Sequence, residues 1–291
     1  MDMKGFPENI RRKPLARFSE GSDGDYAYDA TTGLYTRIRE GWVRNSTGLL
    51  IVDAGTPNAI ASPALKAWYK ASDFDATADG TEVSAWNDVS GNAFNTTPLG
   101  AAGNRPVVRR NAVNTSMTAL ESASKRGMVS GSLTLSSYHN WTVFAVVKFT
   151  AEATTQSGFF NFNDGLSGGG SFDTGFGRNS TGVIRYNNFD SQVALTVETF
   201  TLSAWHYIVA TSNGGSSGNV KVWIDGVLTT WAASFTDQGA NVGAIRLMEQ
   251  KNSAGHFMIG QAAEYAVYNG AISDDDRTFN LEAYAKLRYA L

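Results

Sequence analysis

Several segments of the chain alternate apolar and polar positions with a period of two, the spacing of a strand whose successive side chains point to opposite faces. Trp141 to Phe149 (WTVFAVVKF) is apolar on both alternating sets except at Thr142 and Lys148, as a strand covered on both faces should be. Trp205 to Thr211 alternates bulky residues and predicts another strand. Val220, Val222 and Ile224 alternate with Lys221, Trp223 and Asp225, and Asp225-Gly226 is a two-residue hairpin signal with Leu228 on the return strand. Together these segments predict a twisted antiparallel sandwich. Near the end the pattern changes. Ser273 before Asp274, Asp275 and Asp276 predicts a capped helix start whose dipole favours the three acids, and Phe279, Tyr284 and Leu287 can share one helical face.

Residues 1–62 form a zone of their own. Between Lys4 and Arg17 the charges are Lys4, Arg11, Arg12, Lys13 and Arg17 against Glu8 alone, and Gly21 to Asp29 is then acidic and glycine-containing. Short apolar runs at Gly33 to Arg39 and Gly48 to Asp53 predict two or three short strands, too few to bury a core. Thr56 to Pro63 (TPNAIASP), with small residues and two prolines, reads as a linker. The expected division is therefore an N-terminal arm over 1–62 and one large domain over 63–291.

Composition narrows the function classes. The 30 glycines against 6 prolines, with aromatics at 12%, suit an all-β sandwich better than a helical bundle. A net charge of −3 offers no general attraction to nucleic acid. Without cysteine there is no disulfide or thiol chemistry. No apolar run is long enough to predict membrane insertion, and the start lacks the apolar stretch of a secretory signal, so delivery without export is expected.

Four segments in fixed order carry a family resemblance: Val83 to Asn92 (VSAWNDVSGN), Trp205 to Gly215 (WHYIVATSNGG), Val220 to Leu228 (VKVWIDGVL) and Ile259 to Tyr268 (IGQAAEYAVY). They resemble a laminin-G/concanavalin A-like jelly-roll sandwich of the kind found in tailed-bacteriophage virion proteins, over about Leu65 to Leu291. The resemblance implies an antiparallel β-sandwich closed by a short C-terminal helix, with Trp86 in the core. It also implies a structural, non-enzymatic role at the virion surface as a capsid decoration, head fibre or tail component assembled in the bacterial cytoplasm. Other virion proteins, host surface glycans and further copies of the chain are then the expected partners. In that reading Lys4, Arg11, Arg12, Lys13 and Arg17 anchor the particle, and many weak glycan contacts add up across copies. A free lectin and a glycoside hydrolase of the same fold are the alternatives.

Candidate sites follow from these readings. Glycosidases of this fold place acids in a pattern like E-x-D-x-x-E so that two carboxylates converge; none occurs here. Gly165 to Gly169 and Gly214 to Gly218 match G-x-S-x-G by letter but sit in glycine- and serine-rich loops rather than strand-to-helix turns. His139, His206 and His256 have no metal-type spacing. Many laminin-G domains hold one Ca²⁺, and the loop around Asn163, Asp164 and Asp173 is where the resemblance would put it, against the plainer reading of a solvated glycine-rich loop. For a glycan, Tyr186, Asn187, Asn188, Phe189 and Asp190 join two aromatics to amides within five residues, with Asn161 nearby.

Overall fold

Every strand pair among the described residues is antiparallel, which lets short turns join neighbours and leaves each sheet one face for a core. The computed structural model describes residues 26–29, 34–37, 42–44, 50–52, 56–123, 127–134, 140–151, 156–163, 173–179, 184–188, 191–194, 201–213, 220–229, 242–249 and 257–291. The chain divides into two units, Met1–Thr56 and Pro57–Leu291. In the first, β1 (Tyr26–Asp29) pairs with β2 (Leu34–Arg37), and β3 (Trp42–Arg44) with β4 (Leu50–Val52). Lys4, Arg11, Arg12, Lys13 and Arg17 lie outside the described residues.

The second unit carries β5 (Leu65–Lys70), β6 (Thr96–Pro98), β7 (Val107–Val113), β8 (Met117–Ala123), β9 (Met128–Thr134), β10 (Asn140–Phe149), β11 (Gln156–Asn163), β12 (Asp173–Asn179), β13 (Ile184–Asn188), β14 (Ser191–Ala194), β15 (His206–Asn213), β16 (Val220–Ile224), β17 (Val227–Thr229), β18 (Val242–Leu247) and β19 (Ile259–Tyr268). One sheet has eight strands in the order β17-β16-β15-β10-β19-β8-β7, with β5 also paired to β19; the other has seven, β14-β13-β12-β11-β18-β9-β6. Trp141, Val143, Ala145, Val147 and Phe149 of β10 enter a core completed from the second sheet by Phe160, Phe162, Phe176, Ile245 and Leu247. The intervening Thr142, Phe144 and Val146 are also buried. The C-terminal segment accounts for that: Phe144 meets Tyr284 edge to face at 6.3 Å. The chain is an all-β sandwich with one short C-terminal helical segment.

That segment runs through α1 (Asp274–Asp276), a π-helical stretch (Arg277–Glu282) and α2 (Ala283–Tyr289). The Ser273 hydroxyl caps it, accepting from the Asp276 amide at 3.0 Å and donating to the Asp276 carboxylate at 2.7 Å. The expected shared face does not form. Tyr284 is buried, but Phe279 and Leu287 are 49% and 43% exposed. Leu281, Tyr284, Ala285 and Tyr289 are the buried residues instead, following a π-helical stretch over Arg277–Glu282.

Two further details concern segments singled out above. The segment around Val83 to Asn92 forms no named strand; it is irregular, held by the isolated bridges Glu82↔Val107 and Trp86↔Thr96. Trp86 is nonetheless fully buried, between Tyr69 at 5.9 Å and Tyr265 at 5.8 Å. Thr56 to Pro63 is not a free linker either. Pro57–Ala59 forms a 3-10 turn, Pro57 and Ile60 are buried, and the Tyr268 hydroxyl donates to the Pro57 carbonyl at 2.8 Å. The Asp225-Gly226 turn forms as its residues require, with φ of 51° and 82°.

Candidate functional site

The alternation that sends Phe160, Phe162, Phe176, Ile245 and Leu247 into the core puts their neighbours on the opposite face of the seven-stranded sheet. Residues directly opposite in a ladder share a face. Register therefore draws one row across five strands: Arg246 of β18, Asn161 of β11, Gly175 of β12, Asn187 of β13 and Gln192 of β14. A second row pairs Asn163 with Asp173 and Ala244, and a third pairs Gly177 with Arg185. By register these positions share one face of the sheet, with glycine at 175 and 177. Gly175 is required by its neighbour, since an added Cβ would stand 2.7 Å from the Phe160 carbonyl and 2.8 Å from Asn161 Nδ2.

The inner end of this face is packed. Arg246 is 6% exposed, its Nη1 3.5 Å from Glu249 Oε1, while Glu249 Oε2 accepts from the Gly127 amide at 3.0 Å. Asn161 has no exposure at all, so it supports the sheet at this end and offers a ligand no contact. The expected five-residue sugar segment is split by the pleat. Asn187 stands in the polar row, whereas Tyr186 is opposite the core residue Phe176 and Asn188 is opposite Thr174. Phe189 and Asp190 lie outside the described residues, as does Asp164. Asn163 and Asp173 do face each other across the β11–β12 ladder. The described residues contain no group of three His, Asp or Glu side chains placed to hold a metal; the rest of the expected Ca²⁺ loop lies outside them. Arg246 and Gln192 were not legible as site residues, because membership of the row depends on cross-strand register.

His206 is a turn residue. Its Nδ1 lies 2.6 Å from Asp225 Oδ2 and its Nε2 3.3 Å from the Thr201 carbonyl, while Asp225 Oδ1 accepts from the Tyr207 amide at 3.0 Å. The pair braces the β16–β17 hairpin against β15.

No protein-family model and no curated protein sequence matches the chain. Solved structures do share its fold. A Trypanosoma rangeli sialidase superposes with a TM-score of 0.54 at 12% identity, covering 78% of this chain and 34% of its own. A mutant of that sialidase displaying trans-sialidase activity gives 0.55 at 12%, covering 81% and 36%. Domain 4 of AbnA, an extracellular GH43 arabinanase of Geobacillus stearothermophilus, was solved in complex with arabinotriose; it gives 0.52 at 19%, covering 75% of this chain and 98% of that domain. The chain therefore spans about a third of each sialidase and almost all of the arabinanase domain. These β-sandwiches belong to carbohydrate-active proteins. They overturn the expectation that the chain is not an enzyme, because sialidases are enzymes and carry this fold. A missing E-x-D-x-x-E pattern excludes one way of placing two acids and leaves others open; at these identities the likeness itself shows the fold alone.

Proposed function

We propose that this protein binds carbohydrate through the outer polar face of its seven-stranded sheet, at the β12–β14 end of the row. The observation that carries the reading is the row itself. Neutral amide residues suit sugar hydroxyls, which both donate and accept. The arabinanase domain bound to arabinotriose supports it, as a sandwich of the same fold matched over nearly its whole length. The sequence resemblance adds a setting: display on a tailed-phage particle held by the basic segment Lys4 to Arg17, with repeated weak contacts to host glycans. That setting rests on the resemblance alone; none of the solved structures named above is a virion protein.

The test is a glycan array probed with the full chain, followed by titration of the best neutral oligosaccharide. Asn187→Ala and Gln192→Ala should each weaken binding about tenfold, the effect of one lost hydrogen bond of ordinary strength. No bound glycan, or unchanged affinity in both variants, would overturn the reading.

A further inference from the structure

The outer face of the eight-stranded sheet carries a second polar strip. Val147, Phe149, Ala262 and Leu120 face the core, so Lys148 of β10, Gln261 of β19 and Glu121 of β8 face outward, where register sets them side by side. Arg109 of β7 closes one end, donating from Nε and Nη2 to Glu121 Oε1 at 3.0 and 2.7 Å and lying 3.5 Å from Asp79. Trp205 lies beside Lys148 and also reaches β7, its indole nitrogen donating to the Ala112 carbonyl at 3.0 Å. This strip lies away from the seven-stranded sheet and the row described above.

Three groups here are left incomplete by the protein. Gln261 is 8% exposed and gives its amide nitrogen to Glu121 at 2.9 Å, yet its Oε1 is buried without a donor among the described residues. On the β10 side Lys148 stands opposite Gln261 in the ladder. The Lys148 ammonium has no carboxylate within ion-pair distance among the described residues; it rests 5.0 Å over the Trp205 ring. Burial pulls this ammonium below the ordinary lysine range, with Glu121 only partly opposing. Glu121 is engaged by Arg109 and Gln261 and makes no salt bridge to Lys148, although its charge favours the ammonium. The Trp205 ring, half-buried, carries the Lys148 cation over it.

A monoanion with neighbouring hydroxyls and an apolar face satisfies all three groups. A single free ammonium matches one carboxylate better than a phosphate dianion, because Arg109 is already neutralised by two acids. We propose that this strip is a subsite for a carboxylated sugar. The carboxylate draws the Lys148 ammonium off the indole, the bared Trp205 ring takes the apolar face of the sugar, and a hydroxyl donates to Gln261 Oε1. Leaving the ring costs little, since an exposed cation–π contact is worth only about 0.5–1 kcal/mol. The inference rests on the carbohydrate reading for its ligand class but uses a different face, so the two can fail separately.

The test is calorimetric titration of the full chain with trigalacturonate and with its fully methyl-esterified form. The acid should bind at least about tenfold tighter than the ester. Lys148→Gln should reduce the acid to the affinity of the ester, Lys148→Arg should keep the preference, and Trp205→Phe should preserve more binding than Trp205→Ala. Equal binding of acid and ester, no binding of either, or an acid preference that survives Lys148→Gln would overturn the proposal. Loss of neutral-glycan binding in Asn187→Ala alongside no acid preference would sink this subsite and leave the other face standing.

Discussion

Asp88 is the reason Val83 to Asn92 is recognisable at all. Its Oδ1 accepts from the Trp68 and Ser90 amides, both at 2.8 Å, and its Oδ2 from the Ser90 hydroxyl at 2.9 Å and the Phe94 amide at 3.0 Å. One carboxylate thus pins a loop to the opening strand, while Gly91 at φ 90° lets the chain reverse. Asp88→Ala should lower unfolding stability by about 2–4 kcal/mol in urea titrations, and Asp88→Asn should recover only part, because an amide nitrogen cannot accept. Glu264 poses the opposite case. Trp68 Nε1 donates to it at 2.5 Å, the Tyr284 hydroxyl at 3.0 Å, and the Tyr289 hydroxyl as well, yet full burial still pushes its carboxyl above the ordinary range. The folded state holds that proton more tightly than the unfolded one, so the stability it contributes is complete below the ordinary value of 4.5 and fades as pH rises through the raised one. Relative to Glu264→Gln, the wild type should therefore lose stability as pH rises above the ordinary carboxyl value of 4.5, by about 1.4 kcal/mol per unit of upward shift. A pH-independent difference between the two would contradict a burial-dominated carboxyl. Trp86 was readable as core from a single letter in context. Glu264, in the middle of IGQAAEYAVY, was not, because what makes it unusual is the helical segment that covers it 20 and 25 residues later.

Elements were legible where one strand carries its own signal. β10 announces burial on both faces, and the Asp225-Gly226 hairpin announces its turn. Elements whose shape depends on a neighbour were misread, as with the C-terminal helical segment, which buries Leu281 and Tyr289 rather than Phe279 and Leu287. Gly260 shows the same dependence. Its Cα faces β10 so closely that an added Cβ would stand 2.1 Å from the Lys148 carbonyl oxygen. Gly260→Ala must push apart two central strands and should cost about 3 kcal/mol or more, or prevent folding. Gly131 in β9 has nothing within 4 Å of that position, and Gly131→Ala should be neutral or stabilising by about 0.5 kcal/mol. Thermal unfolding of the pair separates backbone contact from a general intolerance of alanine in strands; equal losses would dismiss the contact.

At the scale of the whole molecule, the sandwich could be read from alternation, turn signals and four ordered segments, because each strand of an antiparallel sheet declares its inward face locally. The polar rows could not, since Arg246, Asn161, Asn187 and Gln192 meet only through the order β18-β11-β12-β13-β14. The edge of the folded unit is a similar case. Small residues and prolines suggested a linker ending near Ser62, but Pro57 and Ile60 are buried and the buried Tyr268 hydroxyl depends on the Pro57 carbonyl. A fragment spanning 57–291 should unfold cooperatively, because that unit holds its own core. Starting at 63 instead removes the Ile60 side chain, worth about 1.5–3 kcal/mol of burial, and strands a buried hydroxyl at a further cost of about 1–3 kcal/mol. The shorter fragment should therefore be less stable by about 3 kcal/mol, and Tyr268→Phe should narrow the gap by relieving the unpaired hydroxyl. Equal stability of the two fragments would show Pro57 and Ile60 to be dispensable; the expected gap would place the start of the folded unit at Pro57.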